Sequence, residues 1–189
     1  MGFRVYEPAE ADCGKFLTYF CVMSIEKVIL VDEQDNAIGE MEKLEAHQKG
    51  LLHRAFSVFI FNETGQLLMQ QRALSKYHSA GLWSNTCCSH PRPDEKTADA
   101  AKRRLKEEMG LETELEFKNY FIYNNKFDNG LTEHEYDYIY TGLTNAQPKI
   151  NKNEVENFEW NSLSRIKEKI KLNPQQFTVW FKVAVERFF

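Results

Sequence analysis

The segment from residue 95 to residue 110 has the periodicity of an amphipathic helix and constrains the fold more than any other part of the chain. Its apolar residues recur at spacings of three and four, which places them on one helix face: Ala98, Ala101, Leu105 and Met109. Gly110 follows them and is a typical helix stop. The pattern predicts one helix whose apolar face must pack against other elements.

Strand-like segments lie on both sides of this helix. Aromatic and β-branched residues between Arg54 and Asn62 lead into a turn that ends at Gly65, and apolar residues resume from Gln66 to Gln71, which predicts a β-hairpin. Further strands are predicted at Val28–Asp32, Leu115–Tyr123, Glu133–Gly142 and Phe158–Trp160, with helical segments at the C-terminus. Strands that flank a central helix indicate the α/β or α+β class.

Charge and hydropathy argue against two classes of partner. The chain has 24 Lys and Arg against 28 Asp and Glu, a net charge of -4, and it contains no basic stripe interleaved with aromatic residues. The most apolar stretch near the N-terminus, Phe16 to Met23, is far shorter than the roughly 20 residues of a membrane span. We therefore expect no nucleic-acid partner and no membrane partner.

Length and cysteine usage indicate one folded domain in a reducing compartment. The first 22 residues do not share the pattern of the rest, so we expect an N-terminal extension at 1–22 and one domain at 23–189. Cysteines occur at positions 13, 21, 87 and 88 without a CxxC pair, and adjacent cysteines rarely form an unstrained disulfide. Reduced thiols and a cytoplasmic location follow as expectations.

Charged residues on and before the predicted helix fall at the spacing of the Nudix box, a signature of diphosphate chemistry: Glu95, Arg103, Glu107, Glu108 and Gly110. Because positions 104, 107 and 108 share one helix face, Glu107 and Glu108 can present carboxylates to a divalent cation beside Arg104. The segment departs from the box at Ser89, which replaces a glycine, and at Arg104, which replaces a metal-binding glutamate. By spacing alone, a solvated helix with ordinary ion pairs is the favoured interpretation.

A second constellation is more specific. The runs Asn85–Pro91, Arg72–Lys76 and Leu52–Phe56, together with Glu133-His134-Glu135 and Trp180, closely resemble type 1 isopentenyl-diphosphate isomerase. The resemblance extends from about Ile25 to Trp180. It implies a catalytic domain with the Nudix fold, a mixed β-sheet with flanking helices.

The resemblance implies a divalent-metal site formed by His47, His53, His90, Glu133 and Glu135, which the family fills with zinc, manganese or magnesium. Side chains alternate along a strand, so Glu133 and Glu135 face one way and His134 the other, which argues against His134 as a ligand. A mixed nitrogen and oxygen set suits zinc or manganese better than magnesium, although the ion stays open. Any one of these histidines is more often a hydrogen-bonded core residue, so the prediction depends on the joint match.

Four residues map onto catalytic positions of the family: Cys88, Glu135, Tyr123 and Trp180. Isomerisation adds a proton to C4 of an unactivated alkene and removes one from C2, so it needs two acid/base groups, and the resemblance assigns Cys88 and Glu135 to opposite faces of the substrate. Tyr123 would hydrogen-bond to Glu135, and the Trp180 indole would stabilise the carbocation-like state. For Tyr123 and Trp180, plain core packing remains an alternative. Cys87 has no assigned role, and the proton carried by each group stays open.

The resemblance places four cations around the substrate diphosphate: Lys43, Arg72, Lys76 and Arg104. It also implies a substrate-bound Mg²⁺ that meets Glu108 and the backbone carbonyl of Cys88. A polyanion requires such donors, but spacing alone does not show that these side chains converge, and each could be an ordinary surface charge.

The predicted activity is therefore isomerisation of isopentenyl diphosphate to dimethylallyl diphosphate by a monomer or weak homodimer. A Nudix hydrolase is the first alternative, favoured by the box but disfavoured by Arg104 and by the additional histidine-rich site. A catalytically silent diphosphate-binding module is the second, and Cys88 and Glu135 argue against it.

Overall fold

The computed structural model describes residues 26–189, so the predicted N-terminal extension at 1–22 lies outside the described residues. Within 26–189 the chain forms nine strands and four α-helices. The strands are β1 Lys27–Val31, β2 Ala37–Glu42, β3 His53–Phe61, β4 Gln66–Arg72, β5 Trp83–Ser84, β6 Cys87–Ser89, β7 Leu115–Lys126, β8 Thr132–Leu143 and β9 Val155–Ser162. The helices are α1 Lys43–Lys49, α2 Thr97–Met109, α3 Leu163–Leu172 and α4 Val179–Phe188, with a short 3₁₀ turn at Pro174–Gln176.

Strand β3 is the centre of a mixed sheet. It pairs in antiparallel fashion with β1, β4 and β6, and it lies parallel to β8 over its whole length. The predicted hairpin forms at its base, where Phe61 pairs with Leu67 and the Asn62 amide donates to the Gln66 carbonyl. Beyond that point β3 continues beside β6 and β8, while β4 continues beside β5 and β9. The mixed sheet with flanking helices confirms the predicted fold class.

Helices cover both faces of this sheet because alternate residues of β3 point in opposite directions. One face packs beneath α2, and its buried residues include Phe56, Val58, Ile60, Leu105 and Met109. On the other face Phe59 packs with Ile166 of α3 and Phe181 of α4. The central strand is therefore buried on both sides.

Helix α2 ends where the sequence predicts. Gly110 has a left-handed φ of 65°, and a Cβ at this position would lie 2.7 Å from the Lys149 carbonyl oxygen. Glycine is required here because other residues rarely adopt this φ and because a side chain would collide with the backbone of Lys149.

Helix α1 is short and was not predicted, yet it positions the first histidine of the site. Its N-terminus is capped by the Glu42 carboxylate, which accepts hydrogen bonds from the amides of Leu44 and Glu45 at 2.9 and 2.8 Å. Gly50 closes the other end in a left-handed conformation. The helix thereby directs the buried His47 inward.

The described part of the chain, residues 26–189, contains no helix that is both long and apolar enough to span a membrane.

Candidate active site

A cleft that is partly open to solvent brings the predicted site residues together. All of them except His47 and His53 line it: Lys43, Arg72, Lys76, Cys88, His90, Arg104, Glu108, Tyr123, Glu133, Glu135 and Trp180. His47 and His53 are fully buried beside it. Residues far apart in the chain thus form one continuous polar site.

The three histidines and two glutamates predicted as metal ligands form one cluster. His53 begins β3 and pairs in register with Glu135 of β8, while His90 directly follows β6. The Nε2 atom of His90 lies 3.2 Å from His53 Nε2 and 2.8 Å from Oε1 of Glu135. The Nε2 atom of His47 lies 3.3 Å from Oε2 of Glu133. Donor atoms of His47, His53, His90 and Glu135 all lie within 4.8 Å of one another.

The backbone fixes the orientation of two of these rings. Nδ1 of His47 lies 2.7 Å from the Lys43 carbonyl oxygen, and Nδ1 of His53 lies 2.8 Å from the Leu51 carbonyl oxygen. Each Nδ1–H therefore donates to a carbonyl, which leaves each Nε2 lone pair facing the cluster. His134 faces the other way, with Nδ1 3.0 Å from the Gly50 carbonyl oxygen.

The donor set fits a divalent metal ion. His47 Nε2 and Glu133 Oε2 are buried without a hydrogen-bond partner, although buried polar atoms of this kind are normally satisfied. An ion bound among imidazole nitrogens and carboxylate oxygens would satisfy both atoms. The cluster is thus compatible with a divalent metal.

The two glutamates have different electrostatic environments. Burial and the nearby charge of Glu135 raise the pKa of Glu133 to about 7, against the opposing effect of His47. Burial also acts to raise the pKa of Glu135, but the adjacent His53 and His90 imidazoles outweigh it and hold this pKa well below its ordinary value. Glu135 is therefore the carboxylate whose ionised form the site stabilises.

Cys88 lines the cleft from β6 and lies beside Arg72. Its Sγ atom is 4.0 Å from Nη1 of Arg72. Burial raises the pKa of the Cys88 thiol to about 12, although the Arg72 charge opposes the shift, so the thiol is protonated at neutral pH. The neighbouring Cys87 is fully buried in the core beneath α2, and both cysteines are free thiols.

The Trp180 indole, on α4, forms an apolar wall of the cleft. It is buried, and the Arg72 guanidinium carbon lies 5.3 Å from its ring centroid. The ring therefore already interacts with a cation through its face.

The four predicted diphosphate-binding cations converge on the same cleft. Arg72 is held by the carbonyl oxygens of His78 and Ser79 at 3.3 and 3.2 Å. Lys76 forms an ion pair with Glu154, and Lys43 lies 3.2 Å from Glu26. These contacts hold the three cations in place in the cleft.

Arg104 is the departure from the Nudix box, and it forms ion pairs with carboxylates on three sides. Its Nη2 lies 2.6 Å from Oε1 of Glu108 and 3.2 Å from Oε1 of Glu154, while its Nη1 lies 2.9 Å from Glu107. Glu108 is buried and also accepts a hydrogen bond of 2.9 Å from Gln70. Glu107 does not line the cleft, so Glu108 is the one of the two adjacent glutamates that faces it.

The cleft residues that sequence analysis missed include His78 and Glu154. His78 lies with Nε2 3.2 Å from Oε1 of Glu133, and Glu154 contacts both Lys76 and Arg104. The one sequence signal that could have pointed to His78 is its position two residues after the predicted site residue Lys76. Nothing in the spacing of Glu154 links it to the other charges.

Comparison with known proteins identifies the family. Residues 51–181 match the NUDIX domain. An isopentenyl-diphosphate Delta-isomerase from Pectobacterium atrosepticum is 52% identical over 165 residues, covering 87% of this chain and 92% of that protein. An isopentenyl-diphosphate Delta-isomerase from Aliivibrio fischeri is 48% identical over 170 residues, covering 86% of this chain and 94% of that protein. The chain belongs to the isopentenyl-diphosphate Delta-isomerase family.

Solved structures confirm the fold of this isomerase family member. DR0079 from Deinococcus radiodurans superposes with a TM-score of 0.73 at 19% identity, over 87% of this chain and 99% of that one. An Ap4A hydrolase from C. elegans superposes with a TM-score of 0.52 at 18% identity, over 71% of this chain and 93% of that one. These likenesses concern the fold alone, and they agree with the NUDIX domain match.

Proposed function

We propose that this chain is an isopentenyl-diphosphate Delta-isomerase, which interconverts isopentenyl diphosphate and dimethylallyl diphosphate in isoprenoid biosynthesis. The observation that carries the proposal is a single cleft that contains the Cys88 thiol and a Glu135 carboxylate held by Tyr123 and His90. Two acid/base groups beside a cluster of cations favour proton transfer on a diphosphate substrate.

Cys88 and Glu135 are the two acid/base groups of this mechanism, on opposite faces of the substrate. One protonates C4 of the alkene and the other removes a proton from C2, through a tertiary carbocation-like state. Tyr123 orients Glu135 through a hydrogen bond of 2.6 Å. Trp180 stabilises the developing positive charge through its ring face, because an indole attracts a cation without trapping it as a nucleophile would.

His47, His53, His90, Glu133 and Glu135 would hold a Zn²⁺, Mn²⁺ or Mg²⁺ ion. When bound, the ion supplies Lewis-acid polarisation that tunes the acidity of Glu135. The hydrogen bonds from His47 and His53 to backbone carbonyls keep their Nε2 atoms oriented toward it.

Lys43, Arg72, Lys76 and Arg104 bind the diphosphate in this proposal. Glu108 and the backbone carbonyl of Cys88 would hold a substrate-bound Mg²⁺, since hard oxygen donors suit this ion. Arg104 takes the place of a hydrolytic metal ligand and offers a guanidinium fork to phosphate oxygens, which favours binding over hydrolysis.

The proposal includes the expected arrangement of the whole chain. Residues 23–189 form the catalytic domain and residues 1–22 an extension of it. The active form is a monomer or weak homodimer in the cytoplasm, where reduced Cys88 is maintained.

The test is proton NMR of isopentenyl diphosphate incubated with the pure protein, Mg²⁺ and Mn²⁺ in deuterium oxide. We expect dimethylallyl diphosphate that carries deuterium, and no such product with Cys88→Ala. Release of phosphate or of a monophosphate ester instead would identify a hydrolase. An unchanged spectrum with metal present would identify a binding module and overturn the proposal.

A further inference from the structure

His78 is a buried histidine at the metal cluster that the predicted ligand set does not include. It lies in the loop between β4 and β5, is only 9% exposed, and places Nε2 3.2 Å from Oε1 of Glu133. Its backbone carbonyl accepts a hydrogen bond of 3.3 Å from Arg72. The loop is therefore anchored, and the imidazole has a defined direction.

The two oxygens of Glu133 have different neighbours. Oε1 faces His78, whereas Oε2 lies 3.3 Å from Nε2 of His47. Both Oε2 and His47 Nε2 are buried without a hydrogen-bond partner. Oε2 is therefore the oxygen placed beside His47 to bind an ion.

The surroundings of His78 allow the tautomer that donates to Glu133. Its Nδ1 lies 3.4 Å from the Ser79 hydroxyl, which can donate to this nitrogen and leave the proton on Nε2. The ring stacks between His47 and Phe127, with centroid distances of 5.9 and 5.4 Å, so its plane is fixed.

We propose that His78 is a positioning residue of the metal site: its Nε2–H holds Oε1 of Glu133 and thereby turns Oε2 toward the ion beside His47. This inference rests on the metal ligands of the proposed function. Such hydrogen bonds from outside the ligand set orient the ligands and raise metal affinity. The competing assignment is direct ligation, because donor atoms of His47, His78 and Glu133 also lie within 4.8 Å of one another.

The test measures the dissociation constant of Co²⁺ by competition with a chromophoric chelator, together with the visible absorption bands of the bound ion. We expect His78→Ala to weaken binding by about 10- to 100-fold. His78→Gln should recover most of the lost affinity, since its amide can donate to Glu133 from a similar position. The absorption bands should keep their shape in both variants because no ligand is exchanged.

His134→Ala is the matched control. This histidine lies between the two glutamates in sequence but bonds to the Gly50 carbonyl on the other side of the strand, so the variant should bind Co²⁺ like the wild type. Circular dichroism and thermal unfolding in the presence of a chelator check that each variant folds. If His78→Ala does not fold, His78→Leu, which fills the space without an N–H, takes its place.

Wild-type Co²⁺ affinity in the Ala or Leu variant would refute the proposed role of His78. It would leave the metal site of the proposed function intact. Changed absorption bands, or a Gln variant as weak as the Ala variant, would replace positioning with direct ligation. If the wild-type protein itself binds no Co²⁺, the metal site of the proposed function fails as well, while the deuterium experiment still tests isomerisation independently.

Discussion

The phenol of Tyr123 donates a hydrogen bond of 2.6 Å to Oε2 of Glu135. The other oxygen of this carboxylate, Oε1, lies 2.8 Å from Nε2 of His90. Glu135 is therefore held at both oxygens, by a neighbouring strand on one side and by the metal cluster on the other. A carboxylate fixed in this way can act on a substrate only from one direction, which is what a stereospecific proton transfer requires.

Tyr123→Phe should lower kcat while leaving the KM for isopentenyl diphosphate nearly unchanged. A hydrogen bond to a charged group contributes about 1.5–3 kcal/mol, so its loss predicts a decrease of about tenfold to a hundredfold. Steady-state kinetics at saturating Mg²⁺ measure both constants. Tyr120→Phe, on the exposed part of the same strand, is the control. If Tyr123→Phe instead raises KM with kcat intact, Tyr123 contributes to binding rather than to the orientation of Glu135.

Cys88→Ala should nearly abolish turnover and leave the fold intact. The two adjacent cysteines provide an internal comparison, since successive side chains of a strand point to opposite faces. Cys88 lines the cleft and Cys87 lies in the core beneath α2. Cys87→Ala should therefore lower the melting temperature but retain most of the activity. Glu135→Gln should behave like Cys88→Ala, and a wild-type rate in either variant is incompatible with the acid/base assignment.

Local sequence patterns were sufficient for the larger elements of this fold. Helix α2 was predicted because its four apolar residues keep helical spacing up to Gly110, and the long strands because β-branched and aromatic residues dominate them. The seven residues of α1 bury only Ala46 and His47, so no periodic apolar face was available to detect. Strands β5 and β6, with two and three residues, are too short for any period.

The candidate site was predictable only as far as sequence motifs extended. Cys88, His90, Glu133 and Glu135 stand in runs that resemble the family, and the structure brings them into one cleft. His78 and Glu154 enter the same cleft through contacts with residues far away in the chain. Such contacts depend on how the loops fold over the sheet, and neither a period nor a spacing encodes them.

Metal binding should stabilise the protein measurably. Two buried carboxylates lie close to each other in the cluster, which raises the pKa of Glu133 to about 7 and disfavours the folded state with both charges present. An ion bound only to the folded state adds about 2.7 kcal/mol to the free energy of unfolding at 100 times its dissociation constant. Urea unfolding with Mn²⁺ or with a chelator measures the difference.

Substitution of a ligand is the control for this metal effect. His53→Ala should lose the stabilisation by Mn²⁺, and His134→Ala should keep it. Equal unfolding curves for the wild type with Mn²⁺ and with chelator would contradict the predicted site. Activity lost on chelation should return when the metal is added back.

Glu154 should stabilise the cation cluster in a manner that depends on pH. Burial acts to raise its pKa, but ion pairs with Lys76 and Arg104 outweigh burial and lower the pKa below the ordinary value of 4.5. A carboxylate whose pKa is lower in the folded state stabilises the fold above the ordinary value, and this stabilisation is lost as the pH falls through the folded pKa. Glu154→Gln should therefore reduce the free energy of unfolding by about 1 kcal/mol at pH 7.

The pH dependence separates this electrostatic contribution from packing. As the pH falls below 4.5 and through the lower pKa of the folded state, the wild-type carboxylate becomes protonated and resembles the amide, so the difference between wild type and Glu154→Gln should shrink. Chemical unfolding at pH 7 and at lower pH gives both differences. Glu114→Gln is the control, because the Glu114 side chain is 91% exposed in its pair with Lys102 and should change stability little at either pH. A loss in Glu154→Gln that stays constant with pH would mean that its contribution comes from packing and neutral hydrogen bonds rather than from its charge.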